Sequence, residues 1–160
     1  MLDGGMNQRT IGLTLALCFF VGAACFAADD PNMGTWKLNE TKSKTAPGVE
    51  KLTTVVYEAA GDQVKVTIDG TDANGKPIHN EWTGKFDGKD YAVTGDPTSD
   101  MRSYKKIDAQ TLKFTVKKGD KTTATGRIVV AADGKSRTVT AKGTDEHGKQ
   151  FKNVAAYDKQ

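Results

Sequence analysis

Few residues in this chain have the types and spacing that chemistry needs. His79 and His147 are its only histidines. A catalytic imidazole needs a partner within hydrogen-bond reach, and no serine or cysteine motif supplies one. Two histidines so far apart do not make a zinc site, which takes several ligands at fixed spacing. The segment from Gly70 puts Asp72, Asn74, Gly75 and Glu81 at the third, fifth, sixth and twelfth positions of a calcium loop, but glycine stands where the first ligand belongs and Glu81 falls in an extended run. Asp72 and Asp145 are better read as capping their own turns through side-chain to backbone bonds. The expectation is a chain with no catalytic residue, no metal and no cofactor, and so not an enzyme. What remains is binding, which depends on which side chains share a face.

The elements that set those faces are regular. Turn signals at residues 60–62, 72–76, 87–89, 95–97, 108–110, 119–120, 133–135 and 146–148 separate runs rich in Val, Thr, Ile, Tyr and Phe. Between them the period is two, as in Val64-x-Val66-x-Ile68, Ile78-x-Asn80-x-Trp82 and Leu112-x-Phe114-x-Val116, the alternation of strands with one buried face. Ten strands are expected: 34–39, 52–60, 63–70, 77–86, 90–95, 101–107, 111–118, 121–132, 135–142 and 149–158. The fold class is all-β, an antiparallel meander. Closing it into an up-and-down barrel removes two exposed edges. A two-sheet sandwich is the alternative, although it usually needs longer crossovers.

One hairpin is used twice. Gly70-Thr71-Asp72-x-x-Gly75-Lys76-x-Ile78-x-Asn80 recurs as Gly143-Thr144-Asp145-x-x-Gly148-Lys149-x-Phe151-x-Asn153. In a meander alternate turns share an end, so both Gly-Thr-Asp loops belong to one rim and Trp36 to the opposite end. Where the first copy turns Val64, Ile68 and Trp82 inward, the second has Arg137, Ala141 and Ala155. Small residues facing large ones either interdigitate or leave a cavity. Such a cavity would be bounded by Trp82, Phe114, Phe151 and Tyr157, with Asn80, Asn153 and Arg137 as polar contacts. Arg137 is a charge at an inward position, costly unless paired or hydrated. It snorkels to the rim, stacks on Trp36, worth about 0.5 to 2 kcal/mol, or holds an anion.

The opening Gly34-Thr35-Trp36-Lys37-Leu38 resembles the first strand of fatty-acid-binding proteins, and its Gly-x-Trp is shared with lipocalins, which together belong to the calycin barrels. The closing Tyr157-Asp158-Lys159 resembles the family's last strand. The resemblance implies structural roles for Gly34 and Trp36, a barrel over residues 28–160, a ligand entrance at the Gly-Thr-Asp rim, and a small hydrophobic or amphipathic ligand. Two departures stand beside it. Only residues 40–51 lie where fatty-acid-binding proteins carry a helical lid, and Ala155-x-Tyr157 stands where they hold a carboxylate with Arg-x-Tyr. The other function class is a cavity-less envelope module acting as an inhibitor or adaptor through its surface.

The N-terminal segment reads as a signal peptide over residues 1–27. Arg9 precedes an apolar run over 11–26, and Cys25-Phe26-Ala27 allows cleavage before Ala28. Asp3 sits poorly in such a leader, so Met6 is a plausible start. The run is shorter than the roughly 20 residues a spanning helix needs. Export to periplasm or medium is expected, with lipid anchoring through Cys25 as the alternative. Cys18 and Cys25 are the only cysteines, so no disulfide staples the exported chain. The net charge of +3 comes from scattered lysines, with only Arg102, Arg127 and Arg137 beyond the leader. Nothing here makes a basic face for nucleic acid.

Overall fold

Aspartate and glycine decide where the chain reverses. Asp72 Oδ1 accepts from the Asn74 and Lys76 amides at 2.8 and 2.9 Å, and Gly75 takes a φ of 82°, a left-handed conformation that penalises any side chain. Asp145 repeats the device with the His147 and Lys149 amides at 3.0 and 2.8 Å, and Gly148 sits at 80°. The twin hairpins are alike in bonding as well as in sequence.

The computed structural model describes residues 30–145 and 147–160; the leader read at residues 1–27 lies outside them. Ten strands follow in chain order: β1 (Gly34–Lys44), β2 (Lys51–Ala60), β3 (Gln63–Thr71), β4 (Pro77–Gly84), β5 (Tyr91–Thr94), β6 (Met101–Lys106), β7 (Thr111–Lys118), β8 (Lys121–Val130), β9 (Ser136–Thr144) and β10 (Gln150–Lys159). They form one antiparallel sheet closed on itself, each strand beside its neighbours in sequence and β1 beside β10. This is the up-and-down barrel, not the sandwich.

The expected boundaries shift where side chains intervene. β1 runs on to Lys44 instead of ending at residue 39, through an irregularity in its pairing with β10 between Asn39 and Lys44. Asn39 Oδ1 accepts from Thr41 Oγ1 and the Lys42 amide, and Ser43 Oγ accepts the Ala156 amide of β10 at 2.9 Å. Side chains thus replace ladder bonds that the bulge opens. No helix follows before β2; residues 45–50 are a loop.

The core occupies one end. Trp36, Tyr57, Val66, Trp82, Tyr104, Leu112 and Val130 are all buried, and they come from the starts of odd strands and the ends of even ones. Trp82 stacks on Phe86 with 13° between planes and meets Tyr104 edge-on at 4.8 Å. Its Nε1 donates to the Arg102 carbonyl at 2.8 Å, so burial leaves no orphaned donor. Residues 30–33 cross this end: Trp36 Nε1 donates to the Asn32 carbonyl at 2.8 Å, and Lys106 Nζ reaches Asp30 at 2.6 Å. Gly84 lies so close to this cluster that a Cβ there would sit 2.5 Å from Tyr91 Cγ and 2.7 Å from Trp82 Cζ2. Gly84→Ala is expected to cost about 1–3 kcal/mol by overpacking, checked by chemical denaturation, with the near-ultraviolet circular dichroism of the Trp82 cluster changed.

Candidate ligand cavity

The half of the barrel away from Trp36 is not filled. It holds a cavity of about 800 Å³, within the range of small-molecule sites. Its mouth is framed by Gly48, Asp72, Pro97 and Asp145 from four connections at that end and by Lys118 at the end of β7. Below them the wall is apolar, with Leu52, Val55, Ile68, Val116, Val139 and Ala141. Alternation delivers these side chains inward, with an irregularity between Leu52 and Thr54 that lets both Leu52 and Val55 of β2 line the space, and their modest size keeps it open.

Arg137 forms part of the floor. It follows Ser136 at the start of β9, opposite Tyr157 in register, and is 3% exposed. Its guanidinium carbon lies 4.6 Å from the centre of the Trp36 ring and 5.0 Å from those of Tyr57 and Tyr157. Three ring faces attract the cation, and the Tyr57 hydroxyl engages it as well. Nε and Nη1 are buried without a hydrogen-bond partner in the protein. Burial raises the phenol of Tyr57, and pushes that of Tyr157 up to about 12 against the pull of Arg137. Both stay neutral in the physiological range, and Tyr157 donates to the Leu52 carbonyl at 2.9 Å.

A second inward arginine is neutralised. Arg102, on β6 and 5% exposed, bonds Asp96 at 3.3 Å and Asn80 Oδ1 at 3.3 Å. Asp96 also accepts from the Thr98 and Ser99 amides and from both hydroxyls, which folds the β5–β6 loop around one carboxylate. Thr98 Oγ1 also lies 3.1 Å from Glu50 Oε1, which brings this loop against the β1–β2 loop across the mouth. Burial first, then the neighbouring Asp96 charge, holds the Glu50 carboxyl above the usual glutamate range, with the Thr98 bond and Arg102 opposing.

Of the residues singled out from sequence, Phe114, Phe151, Tyr157, Asn153 and Arg137 line the cavity. Asn153 spends its side-chain oxygen on the Ala46 amide at 2.8 Å, holding the β1–β2 loop. Trp82 and Asn80 do not line it. Trp82 lies in the closed-end aromatic cluster, and Asn80 is buried against Arg102. Their inward phase is right, but their depth and partners put them in the packing instead. Gly34 (φ 100°) and Trp36 lie at the closed end, outside the cavity wall. Asp72 has its Oδ1 in its own turn, and Glu81 pairs with Lys65 at 2.6 Å. His79 is exposed beside Asp69 at 2.7 Å. Sequence reasoning missed Arg102, Tyr57 and Tyr104, all of which line the cavity. Arg102 shares the phase of Tyr104 two residues on, the same signal that marks Arg137.

No protein-family model matches the chain, and no curated protein matches it in sequence. Among solved structures it is similar to EF1p2_mFAP2b bound to DFHBI, at 13% identity over 81% of this chain and 94% of that one, TM-score 0.49. It is similar also to a redesigned β-barrel, mFAP1, bound to DFHBI, at 14% identity over 83% and 98%, TM-score 0.45. Bovine odorant-binding protein complexed with its natural ligand follows at 11% identity over 82% and 72%, TM-score 0.45. Identities this low say nothing of what the present cavity holds.

Two outcomes follow from the mouth. Asp96→Ala strands the buried Arg102 charge and is expected to cost about 3–5 kcal/mol in urea unfolding. For Glu50, whose folded-state pKa is raised, the folded chain holds the proton more tightly than the unfolded chain. Its contribution is therefore present at acid pH and lost as pH rises through the raised value. Glu50→Gln is expected to raise Tm at neutral pH, leave it unchanged below the glutamate range, and so flatten that part of the profile measured by thermal melts.

Proposed function

We propose that the chain is an exported carrier or scavenger of a small apolar or amphipathic molecule, bound in the open half of the barrel. The observation that carries this reading is the cavity itself, about 800 Å³ with a mostly aliphatic wall beneath a polar mouth. Such a volume suits a ligand of drug or lipid size. The work proposed is binding, not turnover. Export rests on the sequence pattern of Arg9, the apolar run and Cys25-Phe26-Ala27, and on the absence of cysteine beyond it. The outer face gives less support to a surface-acting module: among the described residues only Ile107 and Val129 are large apolar side chains left exposed, at 44% and 45%. Scattered single apolar residues of this kind are ordinary on a surface.

The test uses the purified protein. Organic extraction and mass spectrometry are expected to recover a co-purifying small molecule, and a lipophilic dye is expected to bind saturably. Ala141→Trp, which fills the wall, is expected to abolish dye binding with the far-ultraviolet spectrum kept. No extracted molecule together with no saturable dye binding would point to the surface module instead. Intact mass of the exported product is expected to place the new N-terminus at Ala28; a lipid adduct on Cys25 would mean an anchored protein, and an unprocessed chain would overturn export.

A further inference from the structure

Building on the cavity reading, we propose that the ligand is an amphipathic carboxylic acid, bound with its carboxylate on Arg137 at the floor and its apolar body along the wall above. The contrast between the two inward arginines carries this. Arg102 and Arg137 are equally withdrawn from water, at 5% and 3% exposure. A guanidinium keeps its charge at any relevant pH, so each needs compensation inside the barrel. Arg102 receives it in full from the Asp96 carboxylate and the Asn80 amide oxygen. Arg137 has no acid in any ion pair among the described residues.

What surrounds Arg137 supplies attraction from ring faces and an interaction with the Tyr57 hydroxyl, which together still leave Nε and Nη1 unmatched. Trp36, Tyr57 and Tyr157 present ring faces at 4.6–5.0 Å. These orient the guanidinium plane while leaving part of its edge, where the N–H groups point, for something else. Nε and Nη1 lack protein partners, and a buried charged donor left unmatched costs more than most interactions return. The Tyr157 hydroxyl is committed to the Leu52 carbonyl, and Lys159 Nζ lies 5.2 Å from the Trp36 ring centre, adding positive charge at the same end. The floor is thus electropositive, dry-walled and reached through the cavity that Arg137 itself lines.

The geometry also orients the ligand. Among the described residues lining the floor, Arg137 is a charge with no acid paired to it, the middle wall is aliphatic, and the mouth carries both signs in Glu50, Asp72, Lys118 and Lys121. An acid enters head first, keeps its apolar segment against Val139, Ile68 and Leu52, and leaves its far end at the mouth.

Dye displacement with decanoate, decanol and decyltrimethylammonium tests this on the unmodified protein. Decanoate is expected to bind at least about tenfold tighter than decanol, the scale of one hydrogen bond to a charged group, and the ammonium compound weakest. In Arg137→Met the acid is expected to lose that advantage while decanol affinity is kept. Trp36 emission is expected to respond to decanoate in the unmodified protein. Equal affinities for acid and alcohol in the unmodified protein would overturn the acid assignment and leave the cavity reading standing, with solvent satisfying the guanidinium. If none of the three displaces dye because no dye binds, the cavity reading itself fails. Should Arg137→Met not fold, Arg137→Lys, which keeps the charge but changes the donors, is expected to retain the acid preference in part, and the unmodified comparison decides the matter alone.

Discussion

A barrel of ten strands is wider than its own side chains readily fill; eight already take about all the room that interior side chains occupy. Everything else in this molecule answers that constraint. The chain places its volume unevenly, with Trp36, Trp82, Tyr57, Tyr104 and Leu112 together at one end and Ala124, Ala141, Val116 and Val139 around the other. One half becomes a close-packed core and the other remains open. The space is therefore a product of side-chain size along the barrel axis and not of any gap in the sheet. Gly126 fits the same distribution, since a Cβ there would strike both the Thr140 carbonyl and the Phe114 ring.

Closure is uneven around the circumference as well. β5 is short, pairing with β4 through Glu81–Thr94 and Trp82–Val93 and with β6 through Tyr91–Arg102 and Ala92–Met101. Side chains bridge beneath this thin stretch. The Trp82 indole bonds the β6 backbone directly, and the Asn80–Arg102–Asp96 chain joins β4, β6 and the loop between β5 and β6. A buried ion pair adds little net stability against an apolar equivalent, but removing half of one is costly. Its place here is to fix one geometry where the backbone ladder is sparse.

Much of this was legible in the residues. Turn chemistry located ten strands to within a few positions, because reversals built on aspartate and glycine are local and self-contained. The shared rim of the twin hairpins followed from meander topology, and the meeting of Arg137 with Trp36 from phase and end together. The failures share one cause. A period of two says whether a side chain points in, but not how deep it lies or what it meets across the interior. Trp82 and Asn80 were correctly inward and yet belong to packing. Arg102 was overlooked although its phase was readable, and its neutralisation by Asp96, six residues earlier in a loop, is a matter of loop conformation that alternation does not encode. β1 outran its expected end because Asn39 and Ser43 sustain a bulge with side-chain bonds, which a propensity reading treats as a stop.

The short segment ahead of β1 has a directional effect. Asp30 is fastened to Lys106 and Asn32 lies under the Trp36 indole, so the chain enters the barrel across its sealed base. Asp30, the first described residue, thus lies at the pole opposite the entrance. The sealed base and the open mouth therefore face opposite ways along the barrel axis, like the foot and the rim of a cup, so that a contact made at one end leaves the other clear.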